Sequence, residues 1–484
     1  MSTTAPPSPT ARIPRRLTAP ARGFGPLLLR LHFYAGVFVA PFLLLAALSG
    51  LAFVFSPQID RLVYADELIV ADPGGPARPM SELMATARAT HPEGAVIAIR
   101  PGTGERSTQI DFSSPALDAE HAHTVYLDQY TGAVTGQLTT WWTSTPTQTW
   151  LDDLHTSLHL GKWGHLYSEF AASWLAVLAL GGLLLWWRRQ RGRRMLTPDF
   201  KARRGVRRTR GFHASLGAWL TLGLLFLAAT GLTWSDYAGA NFGKAVDALR
   251  GSRPAVATTL TGAGLAAAGG HHGMGAAPAA PSAADPATQV DSVLKVAADN
   301  GITRSVAVTV PADSGTAWTI TENKATWPLG RDSIAVDGAT GKVTDRSDFA
   351  DWPVMAKLTQ WGIYAHMGNL FGLANQLLLA ALAIGLSCVL VWGYRMWWQR
   401  RPTRADRRWT VGAAPVGRGA WQQLPPWAIV VGVPLVFAAG WFVPLLGLPL
   451  LAFLLADIVL GELRNRRNFR PAPETPVSPA PAGS

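Results

Sequence analysis

Long apolar runs alternate with stretches of mixed polar and apolar character along the chain of 484 residues. A helix that crosses the hydrocarbon core of a bilayer needs about 20 mainly apolar residues. Four runs meet this length and predict spans 1 to 4, at residues 24–56, 151–190, 211–236 and 351–398. A last apolar stretch, 426–461, has WFVP in its middle and predicts two short spans, 5 and 6, joined by a tight turn. An even number of spans puts both termini on the same side of the membrane.

The segments that follow spans 1 and 3 predict two small α+β domains, at residues 57–150 and 237–350. Each contains a helical pattern, MSELMATARATHPEG or TQVDSVLKVAADNG, followed by short alternating runs such as STQIDFS and SVAVTVP. The predicted fold class is therefore a mostly α membrane protein with two small α+β domains outside the bilayer.

The remaining segments have compositions that favour neither a helix nor a strand. Residues 1–23, mostly Pro, Ala, Thr and Arg, predict a disordered tail. Residues 251–288, dominated by Ala, Gly, Pro, Ser and Thr, predict a flexible insert in the second α+β domain. Basic loops are predicted at residues 191–210 and 399–425, and a second tail at 462–484.

The two halves of the chain repeat one another. The segment RLHFYAGVFVAPFLLLAALSGL aligns without a gap with GFHASLGAWLTLGLLFLAATGL, and LHTSLHLG aligns with AHMGNLFG. The alignment pairs His32 with His213, Gly36 with Gly217, Ser49 with Thr230, His155 with His366, Gly161 with Gly372, and Gly182 with Gly393. It predicts a duplicated unit of span, outer domain and span, and hence a four-helix core followed by a C-terminal two-helix hairpin.

Composition and charge then orient the chain in the membrane. Hydrophobic residues make up 48% of the sequence, which indicates a multi-span membrane protein. The net charge is +12, but 27 of the 43 Lys and Arg and only 4 of the 31 Asp and Glu lie in residues 1–30, 188–210, 395–425 and 461–484. This asymmetry is typical of cytoplasmic segments and excludes a nucleic-acid-binding surface as its cause. Both termini are predicted to be cytoplasmic and both α+β domains periplasmic.

Cys388 is the only cysteine and lies within an apolar run. Intrachain disulfides and a CxxCH haem attachment are therefore excluded, and any haem must be held non-covalently. The first apolar run, Leu27 to Phe55, is too long for the core of a signal peptide and predicts an uncleaved span.

The four aligned histidines are predicted to form two layers. His32 precedes Pro57 by 25 residues, about 37 Å of helix, which places it near the cytoplasmic side. His155 and His366 each precede a Trp pair by 31 residues, about 46 Å if the helix is unbroken, and so lie at the outer edge. The repeat then pairs His32 with His213 inside and His155 with His366 outside.

A histidine in a membrane span usually has a partner, and haem iron, copper or zinc, and a proton relay are the chemical alternatives. Haem agrees best with the pattern, because bis-imidazole ligation needs one histidine on each of two facing helices. A bare metal ion needs three or four ligands. Four glycines near the histidines, Gly36, Gly217, Gly161 and Gly372, would leave room for a flat macrocycle, although close helix packing also explains them. His159 and His165 are alternatives to His155 as the outer ligand.

Other residues have weaker functional interpretations. His271, His272 and Met274 form an HHGM sequence typical of a soft copper site, but a chance arrangement in a flexible insert explains it as well. Arg30 and Arg210 could neutralise the propionates of an inner haem. Snorkelling of the side chain at the cytoplasmic end of span 6 explains Asp457.

The segments VYLDQYTGAVTG and IAVDGATGKV resemble PepSY domains, and LHTSLHLG, HASLG with ATGL, and AHMGNLFGLANQ resemble PepSY-associated transmembrane helix proteins. The resemblance covers roughly residues 25–400. This family includes bacterial inner-membrane siderophore reductases, which bind b-type haems in a four-helix core. It implies two haem b groups with His32, His213, His155 and His366 as iron ligands. Because no GxGxxG follows a predicted strand, the electron donor must be separate, either a quinol or a cytoplasmic reductase.

Three hypotheses for function result. The first is an oxidoreductase that transfers electrons across the membrane to a ferric siderophore or another periplasmic acceptor. The second is a non-redox PepSY regulator or scaffold in the envelope. The third is a membrane protein that handles periplasmic copper.

Overall fold

The computed structural model describes residues 24–198, 200, 202, 204–260, 285–400 and 424–468. The predicted N-terminal tail at 1–23 and most of the predicted insert, loop 399–425 and C-terminal tail lie outside the described residues.

The first half has helices at both ends and four strands between them. In chain order its elements are α1 (Gly25–Val54), α2 (Ser56–Val63), α3 (Ala65–Leu68), α4 (Met80–Thr90), β1 (Val96–Arg100), β2 (Thr108–Phe112), β3 (His121–Leu127), β4 (Val134–Trp141), α5 (Pro146–Thr156) and α6 (Lys162–Trp187).

The second half has a similar order of elements and is followed by a helical hairpin. Its elements are α7 (Val206–Leu232), α8 (Tyr237–Ala248), α9 (Val290–Asp299), β5 (Val306–Thr309), β6 (Trp318–Glu322), β7 (Ser333–Val336), β8 (Val343–Ser347), α10 (Val354–His366) and α11 (Leu373–Gln399). The hairpin consists of α12 (Pro426–Phe442) and α13 (Pro444–Asn468).

The chain is a multi-pass membrane protein. Among the described residues, five helices are long and apolar enough to cross a bilayer: α1, α6, α7, α11 and the segment Pro444–Leu463 of α13. The predicted span 5 corresponds to α12, whose apolar part, Ile429–Phe442, is shorter.

Four of these helices form a bundle. Helix α1 packs against α6 and α11, and α7 packs against the same two helices, so that α1 and α7 lie diagonally across from each other. Leu43 of α1, Trp174 of α6, Leu224 of α7 and Leu386 of α11 belong to one buried cluster. Helix α13 packs on the outside of this bundle against α6.

The eight strands form one antiparallel sheet in the order β4-β3-β2-β1-β5-β6-β7-β8. The prediction of two separate α+β domains is corrected here, because β1 pairs with β5, placing Ala98 opposite Thr309 and Ile99 opposite Val308. An unpaired strand edge exposes a row of backbone donors and acceptors, and joining β1 to β5 satisfies both edges at once. A single buried cluster crosses this seam and includes Ile99 and Trp318.

A non-helical segment separates α5 from α6, and another separates α10 from α11. Helix α5 ends at Thr156 and α6 begins at Lys162, with positive φ angles at His159 (+56°) and Gly161 (+54°) between them. Helix α10 ends at His366, and Gly372 (φ +56°) precedes α11. The depth estimate of about 46 Å, which assumed an unbroken helix, is therefore wrong.

Candidate functional site

The two inner histidines lie close together between the diagonally opposed helices α1 and α7. His32 lies on α1 and His213 on α7, and their ring centres are 6.3 Å apart with an interplanar angle of 82°. Two imidazoles on one metal atom give about this separation, since each metal–nitrogen bond is about 2 Å and each nitrogen lies about 1 Å from its ring centre. Two diagonal helices thus present one imidazole each to a common centre.

The outer pair comes from helices that precede the membrane-spanning ones. His155 is near the end of α5 and contacts α1, where its Nδ1 lies 3.0 Å from Ser49 Oγ. His366 ends α10 and contacts α7, where its Nδ1 lies 2.6 Å from Thr230 Oγ1. Burial lowers the pKa of His155, and burial together with the nearby His155 lowers the pKa of His366 to about 3. Both rings are therefore neutral at pH 7, as metal binding by an imidazole nitrogen requires.

Hydrogen bonds favour one position of the ring proton in both outer histidines. Ser49 Oγ donates its only proton to the carbonyl of Leu45 at 2.8 Å, and Thr230 Oγ1 donates to that of Phe226 at 2.7 Å. In this arrangement each hydroxyl oxygen accepts from the imidazole, so Nδ1 carries the hydrogen and Nε2 keeps its lone pair. This is the tautomer in which Nε2 binds a metal.

Beside Nδ1 of the inner histidines lie backbone carbonyl groups, where the outer histidines have hydroxyl groups. His213 Nδ1 lies 2.9 Å from the carbonyl oxygen of Val389, to which only a protonated nitrogen can donate. His32 Nδ1 lies near the carbonyl of Leu178 but outside hydrogen-bond geometry, and it is a buried polar atom without a hydrogen-bond partner. Leu178 precedes Gly182 by four residues, as Val389 precedes Gly393.

The two pairs lie at two well-separated levels. His155 touches α1 at Gly50, and His366 approaches α7 at Gly231. Each of these glycines follows the inner histidine of its own helix by 18 residues, which is about 27 Å of helix. This distance is close to the thickness of the hydrocarbon core, about 30 Å.

Glycines on the neighbouring helices make room for the imidazoles. A Cβ on Gly182 would lie 2.9 Å from His32 Cε1, and a Cβ on Gly50 would lie 2.9 Å from His155 Cε1. The corresponding distances for Gly393 and Gly231 in the second half are both 3.7 Å.

The glycines singled out in the sequence have different surroundings. A Cβ on Gly36 or Gly217 would meet no atom within 4 Å, so both border open space beside their histidines. Gly161 and Gly372 instead provide the positive φ at the starts of α6 and α11.

The alternative outer ligands point elsewhere. His159 is exposed, its Nδ1 lies 3.0 Å from Asp153 Oδ2, and its ring lies 5.1 Å from that of Trp150. His165 is exposed at the start of α6. Of the three candidates in this segment, His155 is the one that contacts the bundle.

The basic residues near the inner pair differ in their partners. Arg30 is buried and forms an ion pair with the equally buried Asp457 of α13. The interpretation of Asp457 as a snorkelling side chain is therefore wrong, and Arg30 is directed away from His213 and toward α13. Arg210, one helical turn before His213, lies near Arg189 and Arg400. This group of arginines is suited to binding carboxylates such as haem propionates.

The surroundings of His366 are aromatic and basic. The Trp234 ring lies 5.3 Å from the His366 ring. Tyr364 is buried, and the guanidinium carbon of Arg331 lies 5.2 Å from its ring centre. Arg253 lies close enough to affect Arg331 electrostatically, and within the described part of the chain neither arginine forms an ion pair with a carboxylate. Both cations therefore lie beside Tyr364, which is two residues before His366 on α10.

The residues present fit a haem at each level. Each level has two imidazoles from different helices, and the inner level also has open space beside Gly36 and Gly217 and a group of arginines around Arg210. Over the described ranges, no group of three or more His, Cys, Asp or Glu side chains is arranged to hold a metal ion. The HHGM residues His271, His272 and Met274 lie outside the described residues.

Several residues that support the site were not recognised as functional from the sequence. Ser49 and Thr230 were aligned with each other, and a hydroxyl at the same place in both repeats is a signal for a hydrogen bond to the paired histidines. Glu169 is 1% exposed inside α6, and its carboxylate accepts the backbone N–H groups of Tyr237 and Ala238 at 3.0 Å each, at the start of α8. An acidic residue inside a span is itself a signal for such a partner.

Comparison with known proteins agrees with this architecture. The sequence model of the family described as PepSY-associated TM region matches residues 29–400. No curated protein matches the sequence.

Proposed function

This chain belongs to the family of PepSY-associated transmembrane proteins, and from that premise we propose that it transfers electrons across a bacterial inner membrane through two b-type haems. The acceptor is a periplasmic ferric chelate, of the siderophore class, which releases its iron on reduction. The two halves arose by duplication of one unit, so that each haem is held between equivalent positions of the two copies.

One observation carries the proposal: His32 and His213 meet between α1 and α7, and His155 lies near His366 at a second level about 27 Å away along the helices. Two relay points inside an insulating layer of about 30 Å replace one long electron transfer with shorter ones. A structural role for the histidines would not require the same separation on α1 and α7, nor matched hydrogen bonds at Ser49 and Thr230.

A bound haem would supply the Fe(III)/Fe(II) couple at each level. The protein residues hold and tune it. His32 and His213 would bind the inner iron through Nε2, and His155 and His366 the outer iron. The hydrogen bonds from Nδ1 fix the orientation of each ring and increase the basicity of Nε2. Arg210 and its neighbours would neutralise the inner propionates.

The outer surroundings support an anionic acceptor. Ferric siderophore complexes carry hard oxygen ligands, whose hold on iron weakens when Fe(III) becomes the softer Fe(II). Arg253 and Arg331, which have no carboxylate ion-pair partner in the described chain, would attract such a complex toward His366. Trp234, against the His366 ring, would shield the approach from water.

The absorption spectrum of the detergent-purified protein tests the proposal. We expect a Soret band in the oxidised protein that shifts on reduction with dithionite, and reoxidation when a ferric hydroxamate chelate is added in the presence of a ferrous-iron indicator. Colourless protein from cells supplied with a haem precursor would contradict it.

Single histidine variants test the assignment of the two levels. His32→Ala or His213→Ala should remove one haem, and His155→Ala or His366→Ala the other, so that each variant retains half of the haem per protein. His159→Ala and His165→Ala serve as matched controls and should retain both. Pyridine haemochrome analysis counts the haems; loss of both from one outer variant in folded protein would show that the levels are wrongly assigned.

A further inference from the structure

A cavity of about 300 Å³ lies between α1, α6 and α13, beside the inner level of the bundle. Its walls are mainly apolar and include the aromatic side chains of Tyr34, Phe38, Phe170, Trp174 and Phe453. Phe38 is 67% exposed, so the cavity has an opening toward the side of the bundle that faces lipid. Its volume and its apolar walls are typical of a small-molecule site.

Polar groups without hydrogen-bond partners lie in this cavity. Asp457 is 3% exposed, and apart from its ion pair with Arg30 neither carboxylate oxygen has a hydrogen-bond partner. Trp174 is 4% exposed, and its indole Nε1–H has no acceptor. Buried polar groups are normally satisfied, so a carboxylate whose only partner is Arg30 and an indole N–H without an acceptor, both in one cavity, indicate a polar ligand.

We propose that this cavity binds a lipid-soluble hydroquinone, which rests on the proposed function by providing its electron donor. A hydroquinone is a flat aromatic ring with a hydroxyl group at each end. One hydroxyl would donate to the Asp457 carboxylate, and the opposite oxygen would accept from Trp174 Nε1–H. The aromatic walls suit the ring, and the opening beside Phe38 would admit the isoprenoid tail.

The charge of the cavity distinguishes this ligand from a phospholipid headgroup. Asp457 already neutralises Arg30, so no net positive charge is left there to bind a phosphate. A neutral ligand that donates a hydrogen bond to the carboxylate is favoured instead.

The position of the cavity suits electron transfer to the inner level. Arg30 and His32 are two residues apart on α1, which places them on opposite sides of the helix. A helix is about 10 Å across, so the hydroquinone ring would lie about that distance from His32. Asp457 and Phe453 lie beyond residue 400, where the match to the family ends.

Oxidation of the bound hydroquinone releases electrons and protons, and each has a destination. The hydroquinone loses two electrons and two protons and becomes the quinone. The electrons would leave singly toward the haem that His32 and His213 would hold, which the proposed function supplies. Asp457 accepts the protons in turn and passes them to water on the cytoplasmic side.

Direct binding of decylubiquinone to the full-length protein in detergent tests the inference, independently of any haem reduction. We expect saturable binding by calorimetry, and an azidoquinone should cross-link to peptides of α1, α6 or α13. Trp174→Phe keeps the aromatic wall but removes the N–H donor, and it should raise the Kd about tenfold. Trp441→Phe, at an exposed position on α12, is the matched control and should leave the Kd unchanged.

The hydrogen bond to the Asp457 carboxylate is tested in a double variant that removes both charges from the cavity. Arg30→Gln combined with Asp457→Asn avoids a buried unpaired charge and should also raise the Kd about tenfold. A Kd in this variant or in Trp174→Phe that is unchanged from that of the unmutated protein, cross-linking outside the cavity, or displacement of a bound phospholipid without quinone binding would each overturn the inference. If one of these results overturns the inference but dithionite still produces a reduced haem spectrum, the proposed function stands. If quinone binds at the cavity but the protein has no Soret band, only the proposed function fails.

Discussion

The hydroxyl groups of Ser49 and Thr230 influence which ring nitrogen carries the proton in the outer histidines. Each hydroxyl commits its proton to a carbonyl four residues earlier in its own helix, which leaves only its lone pairs for the histidine. A hydroxyl group in a helix often makes this local bond. Here the bond has a second effect, because it favours the neutral tautomer in which Nε2 keeps its lone pair.

Replacing Thr230 by Val should weaken haem binding at the outer level. Without the hydroxyl, His366 Nδ1–H loses its acceptor, and loss of such a supporting hydrogen bond typically costs about 10- to 100-fold in metal affinity. The less basic imidazole should also raise the reduction potential of the outer haem. Thr230→Ser restores the acceptor and should restore both properties.

The matched control is Thr221→Val on the same helix, because the Thr221 hydroxyl bonds only the carbonyl of Gly217, 2.7 Å away. Haem content and a spectroelectrochemical titration measure the two effects. Equal behaviour of Thr230→Val and Thr221→Val would show that the hydroxyl at 230 does not act through His366.

At the scale of elements, two breaks position the outer histidines. Because α5 and α10 end before α6 and α11 begin, His155 and His366 can approach α1 and α7 from the side instead of continuing the direction of the spans. Gly161 and Gly372, with φ near +55°, start the following helices in a conformation that other residues rarely adopt. The alignment detected these glycines, but it could not separate a turn from a space for a ligand.

Glu169 joins two further elements. It lies in α6, and its carboxylate accepts the first N–H groups of α8, those of Tyr237 and Ala238. A helix start leaves such donors unsatisfied, and a negative charge there is stabilised by the helix dipole. Its burial inside a membrane helix is therefore explained by α8.

Glu169→Ala should destabilise the protein by about 1–3 kcal/mol, since two buried donors lose their acceptor. Glu169→Gln keeps one acceptor oxygen and should cost less. Glu105→Ala, which removes an exposed ion pair with Arg61, is the control and should change stability by about 1 kcal/mol or less. Thermal unfolding followed by tryptophan fluorescence measures all three; a Glu169→Ala protein as stable as the control would contradict the role.

At the scale of the molecule, the two outer regions act as one body because a single sheet joins them. The seam between β1 and β5 places Ala98 opposite Thr309, next to the pair in which Val310 N–H donates to the carbonyl of Ile97. Ala98 and Thr309 are therefore a non-hydrogen-bonded pair, in which side chains lie closest.

Cysteines at Ala98 and Thr309 should form a disulfide in a Cys388→Ser background. A protease site in the basic loop 191–210 separates the two halves, and the fragments should remain linked on a non-reducing gel. Ala98→Cys with Thr321→Cys is the control, because β6 lies two strands from β1, at about 10 Å. Linked control fragments, or separated fragments of the test pair, would contradict the continuous sheet.

Local periodicity was enough to predict the membrane helices, the helix and strands of each outer region, and the register that pairs the four histidines. These features depend on residues close together in sequence, or on a repeat that sequence comparison detects directly. The haem ligands stay a prediction from that register and from the family.

Contacts between distant segments were decided only by the tertiary structure. The joining of β1 to β5, the turn of His155 toward Ser49, and the burial of Asp457 against Arg30 each bring together residues with no pattern in common. Hydropathy records that a side chain prefers to be buried or paired, but the partner is set by which helix packs beside it. That is why Asp457, which was predicted to extend to the membrane surface, instead forms a buried ion pair with Arg30.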